Sequence, residues 1–310
     1  MPAPFATTAS PTEPALGLGY DIVFYHQFLG AHPMRPSQSP AEAAMDPRMM
    51  IHLATGIAHR RSPGGRVVLV TNAVADFAGR PHLAVERREL ADPAMLQYDR
   101  TRCYRDYIAA RVGSTDRAGA VFLDTDALAL QELAPLFDLP FDVALTYLEE
   151  ALVPPPTALD RWGLPDDGRL SAINFGVMAA RFTPAAVAFF DAALDRFAAI
   201  AGEGAQFLGA ARNSFRAADP SAGSHFRIGD VRTWGGGQFA LTSLLSSNLF
   251  GTFCADGAVA GARVRLLPSE QWNFSPPGGP MTMETLDGRY VLHLKGSRKA
   301  QFPAVAARLA

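Results

Sequence analysis

Apolar runs and stretches with apolar residues at helical spacing alternate along the first half of the chain. Near-continuous apolar runs are typical of strands buried on both faces of a sheet. The strands predicted in this way span residues 21–28, 66–72, 82–90, 118–126 and 141–149. Apolar residues three or four positions apart predict helices over 41–61 and 94–112. The alternation predicts an α/β fold in which helices flank both faces of a mixed, mostly parallel sheet.

The second half of the chain is less regular. A loop is predicted at 152–170, an extended segment at 171–182 and an amphipathic helix at 184–202. A glycine-rich turn that enters a helix follows at 229–247, and two closing strands are predicted at 262–268 and 289–296. Residues 1–17 are rich in Pro, Ala and Thr and are predicted to form a disordered tail. Because no repeat or linker divides the remainder, residues 18–310 are predicted to form one domain with two lobes.

Composition argues against several classes of function. The 310-residue chain has a formal net charge of -2 and its basic residues are scattered, so nothing indicates a nucleic-acid partner. Cys103 and Cys254 lie far apart and form neither a zinc nor a disulfide pattern, which favours a reducing compartment. The sequence has no signal-peptide pattern at its start and no apolar run of about 18 residues that would span a membrane. We therefore expect a soluble, cytoplasmic protein.

Two carboxylates, Asp124 and Asp126, lie one residue apart at the end of a predicted buried strand. Ligands of parallel sheets bind outside the carboxyl ends of the strands. Paired carboxylates there suit a hard divalent cation, which can in turn hold a diphosphate. Aspartates at strand ends also cap following helices, and the motif alone fits either interpretation.

A second candidate is the segment HLKGSRK, residues 293–299. His293 follows an apolar run, and neutral imidazole is a ligand for metals such as Mn²⁺. Lys295, Arg298 and Lys299 supply positive charge, and Gly296 allows a ligand to approach the backbone closely. A metal and diphosphate site is one interpretation; a buried histidine followed by a solvated basic segment is the other.

Two amides complete the set of candidates. Asn174 lies in an apolar stretch, followed by Gly176, and a buried amide needs hydrogen-bond partners such as a sugar hydroxyl or the backbone. Gln238 follows three glycines at a predicted helix start. It is placed either to contact a hydroxyl or carbonyl of a substrate or to cap the helix.

Taken in order, these motifs resemble a known family. The order is a strand-end D-x-D, N-x-G-x-M, a Gly-Gln helix start, W-N-F at 272–274 and a final H-x-x-G-x-x-K. It is similar to the GT-A-fold glycosyltransferases and most specifically to the glycogenin-like family (glycosyltransferase family 8). The similarity covers residues 18–300. The final motif keeps His293, Gly296 and Lys299, while Ala300-Gln301 replaces the Pro-Trp that commonly follows.

The resemblance implies a GT-A-type fold with donor and acceptor lobes and a role for each matched residue. Asp124, Asp126 and His293 would bind Mn²⁺, or Mg²⁺, and Lys299 with the Gly296 backbone would hold the diphosphate. The remaining donor contacts would come from Tyr25, His26, Thr71, Asn72 and Arg102. Asn174 and Gln238 would face the transferred sugar. The implied reaction is transfer from a nucleotide-diphosphate sugar, by the resemblance a UDP-sugar, with retention of configuration and without a covalent glycosyl-enzyme.

The acceptor is left open among a lipid-linked sugar, a polysaccharide, a protein side chain and a small molecule, and a lipid-linked acceptor would bring the protein to a membrane surface. One departure concerns Gly237, because family members usually have Asp-Gln where this chain has Gly-Gln. The missing carboxylate keeps a non-catalytic nucleotide-sugar-binding protein as an alternative. A nucleotidyltransferase on a similar sheet is a further alternative, although the segment after the first strand lacks the dense Gly-Lys-Arg pattern that such enzymes carry.

Overall fold

The computed structural model describes residues 18–29, 45–148, 172–203, 236–246, 256–276, 282 and 284–309. Ten strands lie within these ranges: β1 (Gly19–His26), β2 (Gly65–Thr71), β3 (Ala84–Arg87), β4 (Arg117–Leu123), β5 (Ala127–Ala129), β6 (Val143–Tyr147), β7 (Ile173–Arg181), β8 (Asp256–Val259), β9 (Ala262–Pro268) and β10 (Val291–His293). The helices of the same ranges are α1 (Pro47–Arg61), α2 (Leu96–Ala109), α3 (Pro184–Glu203), α4 (Gly236–Ser246), α5 (Ser269–Trp272) and α6 (Phe302–Leu309).

Eight of these strands form one mixed sheet in the order β3-β2-β1-β4-β7-β6-β9-β8. The pairs β3-β2, β2-β1, β1-β4 and β6-β9 are parallel, and the other three pairs are antiparallel. The middle strands are buried along almost their whole length, as the apolar runs predicted. Strands β5 and β10 pair with each other in a separate antiparallel sheet.

Helices cover both faces of the large sheet. On one face α1 and α6 pack against alternate residues of the central strands, with Ile51 and Phe302 fully buried. On the other face α2, α3 and α4 enclose a second core that contains Tyr104 and Phe190. The predicted α/β fold, with a mostly parallel sheet flanked by helices, is confirmed.

Helix α1 illustrates how the local sequence defines an element. Asp46 accepts a hydrogen bond from the Arg48 backbone N–H at 2.9 Å, and Pro47 occupies the first helical position, where its missing N–H costs nothing. The helix ends where the Ser62 N–H bonds to the Ala58 carbonyl, at the predicted Ser-Pro-Gly-Gly segment.

The structure differs from the sequence prediction in several elements. The closing strand predicted over 289–296 is only three residues long and lies in the small sheet, while β5, β8 and α6 were not predicted. The predicted tail (1–17), the loop at 152–170 and most of the glycine-rich turn lie outside the described residues. None of the helices in the described ranges is both long and apolar enough to cross a membrane.

Strand β7 contains an irregularity that shapes the candidate site. Leu145 pairs with Met178, but the next residue, Thr146, pairs with Asn174 instead of continuing the register. The chain between these partners therefore bulges out of the ladder, and such bulges redirect side chains and backbone groups. Asn174 stabilises the bulge, since its Oδ1 accepts the Gly176 N–H at 3.0 Å.

Candidate metal and donor site

The D-x-D motif forms a turn between two strands. Strand β4 ends at Leu123, and the Ala127 N–H donates to the Asp124 carbonyl at 3.0 Å, which closes a four-residue turn. The Asp124 N–H donates to the Gly176 carbonyl at 2.9 Å, so the bulge of β7 anchors the start of the turn. The helix-capping interpretation of the motif does not apply, because β5 and not a helix follows.

Pairing of β5 with β10 brings His293 to the turn. His293 lies opposite Ala127 in this pair, and the Leu294 N–H donates to the Asp126 carbonyl at 3.0 Å. His293 therefore sits beside the two aspartates although it is far from them in sequence. The two candidate motifs that the sequence left separate are held together by backbone hydrogen bonds.

Asp124, Asp126 and His293 form a compact cluster. One ligand atom from each lies within 4.8 Å of the others. His293 Nε2 is 3.1 Å from Asp126 Oδ1 and 3.6 Å from Asp124 Oδ2. Among the described residues, it is the one group of three or more His, Cys, Asp or Glu side chains that could hold a metal ion. Two carboxylates and one imidazole are a donor set that fits Mn²⁺ or Mg²⁺.

Lys299 completes the charge around Asp126. It lies on a 3₁₀ segment, Gly296–Gln301, that follows β10, and its Nζ is 3.1 Å from Asp126 Oδ2. Burial raises the pKa of the Asp126 carboxyl, but His293 and Lys299 outweigh burial and hold that pKa below its ordinary value. Lys295 and Lys299 are the only lysines in the sequence, whose other basic residues are arginines or histidines. The compact ammonium of a lysine therefore occurs only at these two positions.

Arg100 is the cation beside Asp124, and the sequence prediction missed it. Its guanidinium pairs with the Asp124 carboxylate and donates to the Phe175 carbonyl at 3.1 Å and to the Tyr104 hydroxyl at 2.7 Å. The same guanidinium lies 4.6 Å from the centroid of the Phe175 ring. Burial lowers the pKa of Arg100, but Asp124 outweighs burial and the net shift is upward.

Arg102, the predicted basic contact on the same helix, pairs with Asp99 and not with the D-x-D carboxylates. Its guanidinium is 2.6 Å from Asp99 Oδ1. Two residues along a helix correspond to about 200° of rotation, so the two arginines point to different sides of α2. The signal for Arg100 was present in the sequence, because it precedes the apolar Tyr104 and Ile108 at a spacing of four and so shares their buried face.

The residues predicted to border the base and ribose lie at the carboxyl ends of β1 and β2. His26 and Thr71 are partners in the β1-β2 ladder. The Tyr25 hydroxyl donates to Asp99 Oδ2 at 2.7 Å, which links Tyr25 to the network that holds Arg102. Asn72 bonds both the N–H and the carbonyl of Phe28, at 2.8 and 2.9 Å, and so fixes the segment after β1.

Gly176 and Gly237 are both required by close packing. A Cβ at position 176 would overlap the His293 ring. A Cβ at position 237, at the start of α4, would lie 2.9 Å from the Phe175 ring. The buried Phe175 ring therefore fills the space beside Gly237. Gln238, the next residue, is half-buried.

No protein-family model matches the chain, and no curated protein matches it. Among solved structures, the chain is similar to a crystal structure described as a glycosyltransferase involved in the glycosylation of the major capsid of PBCV-1. The identity is 10%, the similarity covers 94% of this chain and 99% of that chain, and the TM-score is 0.40. A likeness of this degree establishes neither family nor function, so the functional interpretation rests on the site.

Proposed function

We propose that the protein is a metal-dependent glycosyltransferase that moves a sugar from a nucleotide-diphosphate sugar, most specifically a UDP-sugar, to an acceptor. The observation that carries the proposal is the convergence of Asp124, Asp126, His293 and Lys299 at the carboxyl end of β4. These are the residues that the resemblance to GT-A-fold, glycogenin-like enzymes assigns to metal and diphosphate. We propose one catalytic domain, residues 18–310, and a cytoplasmic location consistent with the cysteine pattern.

The charges of the site support joint binding of a dication and a diphosphate. Asp124 pairs with Arg100 and Asp126 pairs with Lys299, so these four groups together are neutral. A dication alone would leave excess positive charge, and a diphosphate alone would leave excess negative charge beside two carboxylates. When both are bound, the charge of the dication offsets the charge of the diphosphate. We therefore expect each to raise the affinity for the other, and this coupling is reciprocal.

In the proposed reaction the bond between the anomeric carbon and a diphosphate oxygen breaks, and the oxygen of an acceptor hydroxyl bonds to that carbon with retention of configuration. The hydroxyl proton is released with the departing nucleoside diphosphate. A bound Mn²⁺ or Mg²⁺ would supply electrostatic stabilisation of the diphosphate. The Lys299 ammonium would neutralise charge that develops on the leaving oxygen. Gly296 has φ of 57° and no atom within 4 Å of a Cβ position, which leaves its backbone open to a phosphate.

The other assigned roles are proposals of the same kind. We assign Asn174 and Gln238 to the transferred sugar and place the base and ribose against Tyr25, His26, Thr71 and Asn72. Arg100, rather than Arg102, is assigned to the basic position beside the carboxylate pair. Arg102 would act on the donor through Asp99.

We expect the protein to release UDP slowly from UDP-glucose or UDP-galactose in the presence of Mn²⁺, and EDTA to stop the release. Lys299→Met is expected to lower the rate by about 100-fold, because one group that stabilises the leaving oxygen is lost. Lys295→Met, which removes the other lysine of the chain, is the matched control and should retain most of the rate. UDP release is measured by a coupled assay.

The same assay separates a catalyst from a non-catalytic nucleotide-sugar-binding protein. The packing of Phe175 against Gly237 favours this second candidate, because it excludes the carboxylate that the resembled family usually has there. Tight Mn²⁺-dependent binding of UDP-sugar without any UDP release would establish a binding protein and overturn the assignment of catalysis.

A further inference from the structure

A chain of buried hydrogen bonds leads from the bulge of β7 to His293. Asn273 follows α5 and is 1% exposed. Its Oδ1 lies 2.9 Å from His293 Nδ1, and its Nδ2 donates to the Thr146 hydroxyl at 2.8 Å. The Thr146 hydroxyl oxygen is itself 3.0 Å from the carbonyls of Asn174 and Val177.

Two backbone carbonyl groups determine the direction of each hydrogen bond in this network. A backbone carbonyl only accepts hydrogen bonds, so the Thr146 proton points to Asn174 or Val177. The Thr146 oxygen must then accept from Asn273, which requires the Asn273 NH₂ group to face Thr146. The Asn273 Oδ1 is thereby left to face His293 Nδ1, and it accepts a proton that Nδ1 carries.

The opposite orientation of the amide is disfavoured. If Thr146 donated to Asn273, its oxygen would lie at hydrogen-bond distance from two carbonyls without a proton for either. Burying two acceptors in this arrangement costs free energy with no compensating bond. The network therefore selects one amide orientation and one position for a proton on the imidazole.

We infer that Asn273 is a positioning residue that holds a proton on His293 Nδ1 and so directs Nε2 toward Asp124 and Asp126 as a metal ligand. Nε2 lies 3.1 Å from Asp126 Oδ1, so with the proton fixed on Nδ1 the Nε2 lone pair is directed to a cation held between these two atoms. Partners that fix the second nitrogen of a ligating histidine raise metal affinity in general. The inference rests on the proposed function only in its metal-binding consequence.

The proton position is tested on the protein without added metal. In protein labelled with ¹⁵N-histidine, we expect a slowly exchanging proton on Nδ1 of His293, assigned by its absence from His293→Gln. The signal should persist in Thr146→Ser, which keeps the hydroxyl, and be lost in Asn273→Ala. A protected proton on Nε2 with none on Nδ1 in the wild-type protein would overturn the inference.

Metal affinity provides the second test. With UDP present, Mn²⁺ binding followed by the electron paramagnetic resonance of free Mn²⁺ is expected to weaken by about 10- to 100-fold in Asn273→Ala. Thr146→Val should also weaken Mn²⁺ binding, and Thr146→Ser should not. The hydrogen-bond network can therefore be tested even if Asn273→Ala does not fold. Wild-type affinity in folded Asn273→Ala and Thr146→Val would contradict a positioning role.

The two tests fail independently. If the wild-type protein binds no Mn²⁺ with UDP, the proposed function fails, while the proton on Nδ1 still decides the role of Asn273. If the wild-type protein binds Mn²⁺ but its Nδ1 carries no protected proton, the inference fails and the proposed function stands.

Discussion

Asp126→Asn is expected to abolish Mn²⁺-dependent binding of UDP. Asp126 is 8% exposed and contacts both His293 and Lys299. An asparagine has nearly the same shape but carries no charge, and its single neutral carbonyl oxygen is a weaker ligand for a dication than a carboxylate. The site would then hold one carboxylate against the positive charges of Arg100 and Lys299. We expect loss of the metal ligand to matter more than any loss of stability.

Thermal unfolding measures the effect directly. For the wild-type protein, UDP with Mn²⁺ at 100 times the dissociation constant should stabilise the fold by about 2.7 kcal/mol. Asp126→Asn should show no increase under the same conditions. The control is Asp116→Asn, at an exposed position just before the other end of β4, which should respond like the wild type. A wild-type response from folded Asp126→Asn would show that this carboxylate is not a ligand.

Gly176→Ala is expected to disrupt the metal site by displacing His293. The added methyl group would overlap the His293 ring, and little room to shift is available because His293 is buried and Gly176 is buried within the bulge of β7. Overpacking of this kind costs about 1–3 kcal/mol. Because His293 is the group displaced, Mn²⁺ affinity in the presence of UDP should also fall, by an amount measurable in the same titration used for Asn273.

Gly56→Ala is the matched control for this substitution. Gly56 lies within α1, and the nearest atom to an added Cβ is Arg60 Nη1 at 3.5 Å, an ordinary contact. Alanine in a helix is favoured over glycine by up to about 1 kcal/mol, so this variant should be as stable as the wild type or more so. Urea denaturation compares the two variants. Equal stability and equal Mn²⁺ affinity in Gly176→Ala would show that His293 is not packed on Gly176.

The strand ends and the charged residues that meet there could be predicted from the sequence because both depend on local patterns. The apolar run before Asp124 identifies a buried strand, and the polar residues after it must lie at the carboxyl edge of the sheet. The run before His293 gave the same information for β10. What brought the two together, the antiparallel pairing of β5 with β10, involves only three residues on each strand and left no pattern long enough to recognise.

The supporting residues could be predicted only in part, because tertiary contacts decide which of the candidate side chains reach the site. The spacing of Arg100 from Tyr104 and Ile108 indicates the buried face of α2, but only the fold shows that this face reaches Asp124 and that Arg102 does not. Asn174 was predicted to face a sugar or to make a backbone contact, and its Oδ1 makes a backbone contact within the β7 bulge. Asn273 was visible in the sequence as the middle residue of the W-N-F motif, but its bond to His293 follows from the fold.

Calorimetric titration of the wild-type protein with UDP, in the presence of Mn²⁺ and separately in EDTA, tests the central claim most directly. We expect saturable binding of UDP to one site when Mn²⁺ is present and at least tenfold weaker binding in EDTA. We also expect Mn²⁺ to bind more weakly without UDP, by the same factor. Equal affinity for UDP with and without Mn²⁺, or no binding in either condition, would contradict a metal and diphosphate site at Asp124, Asp126 and His293.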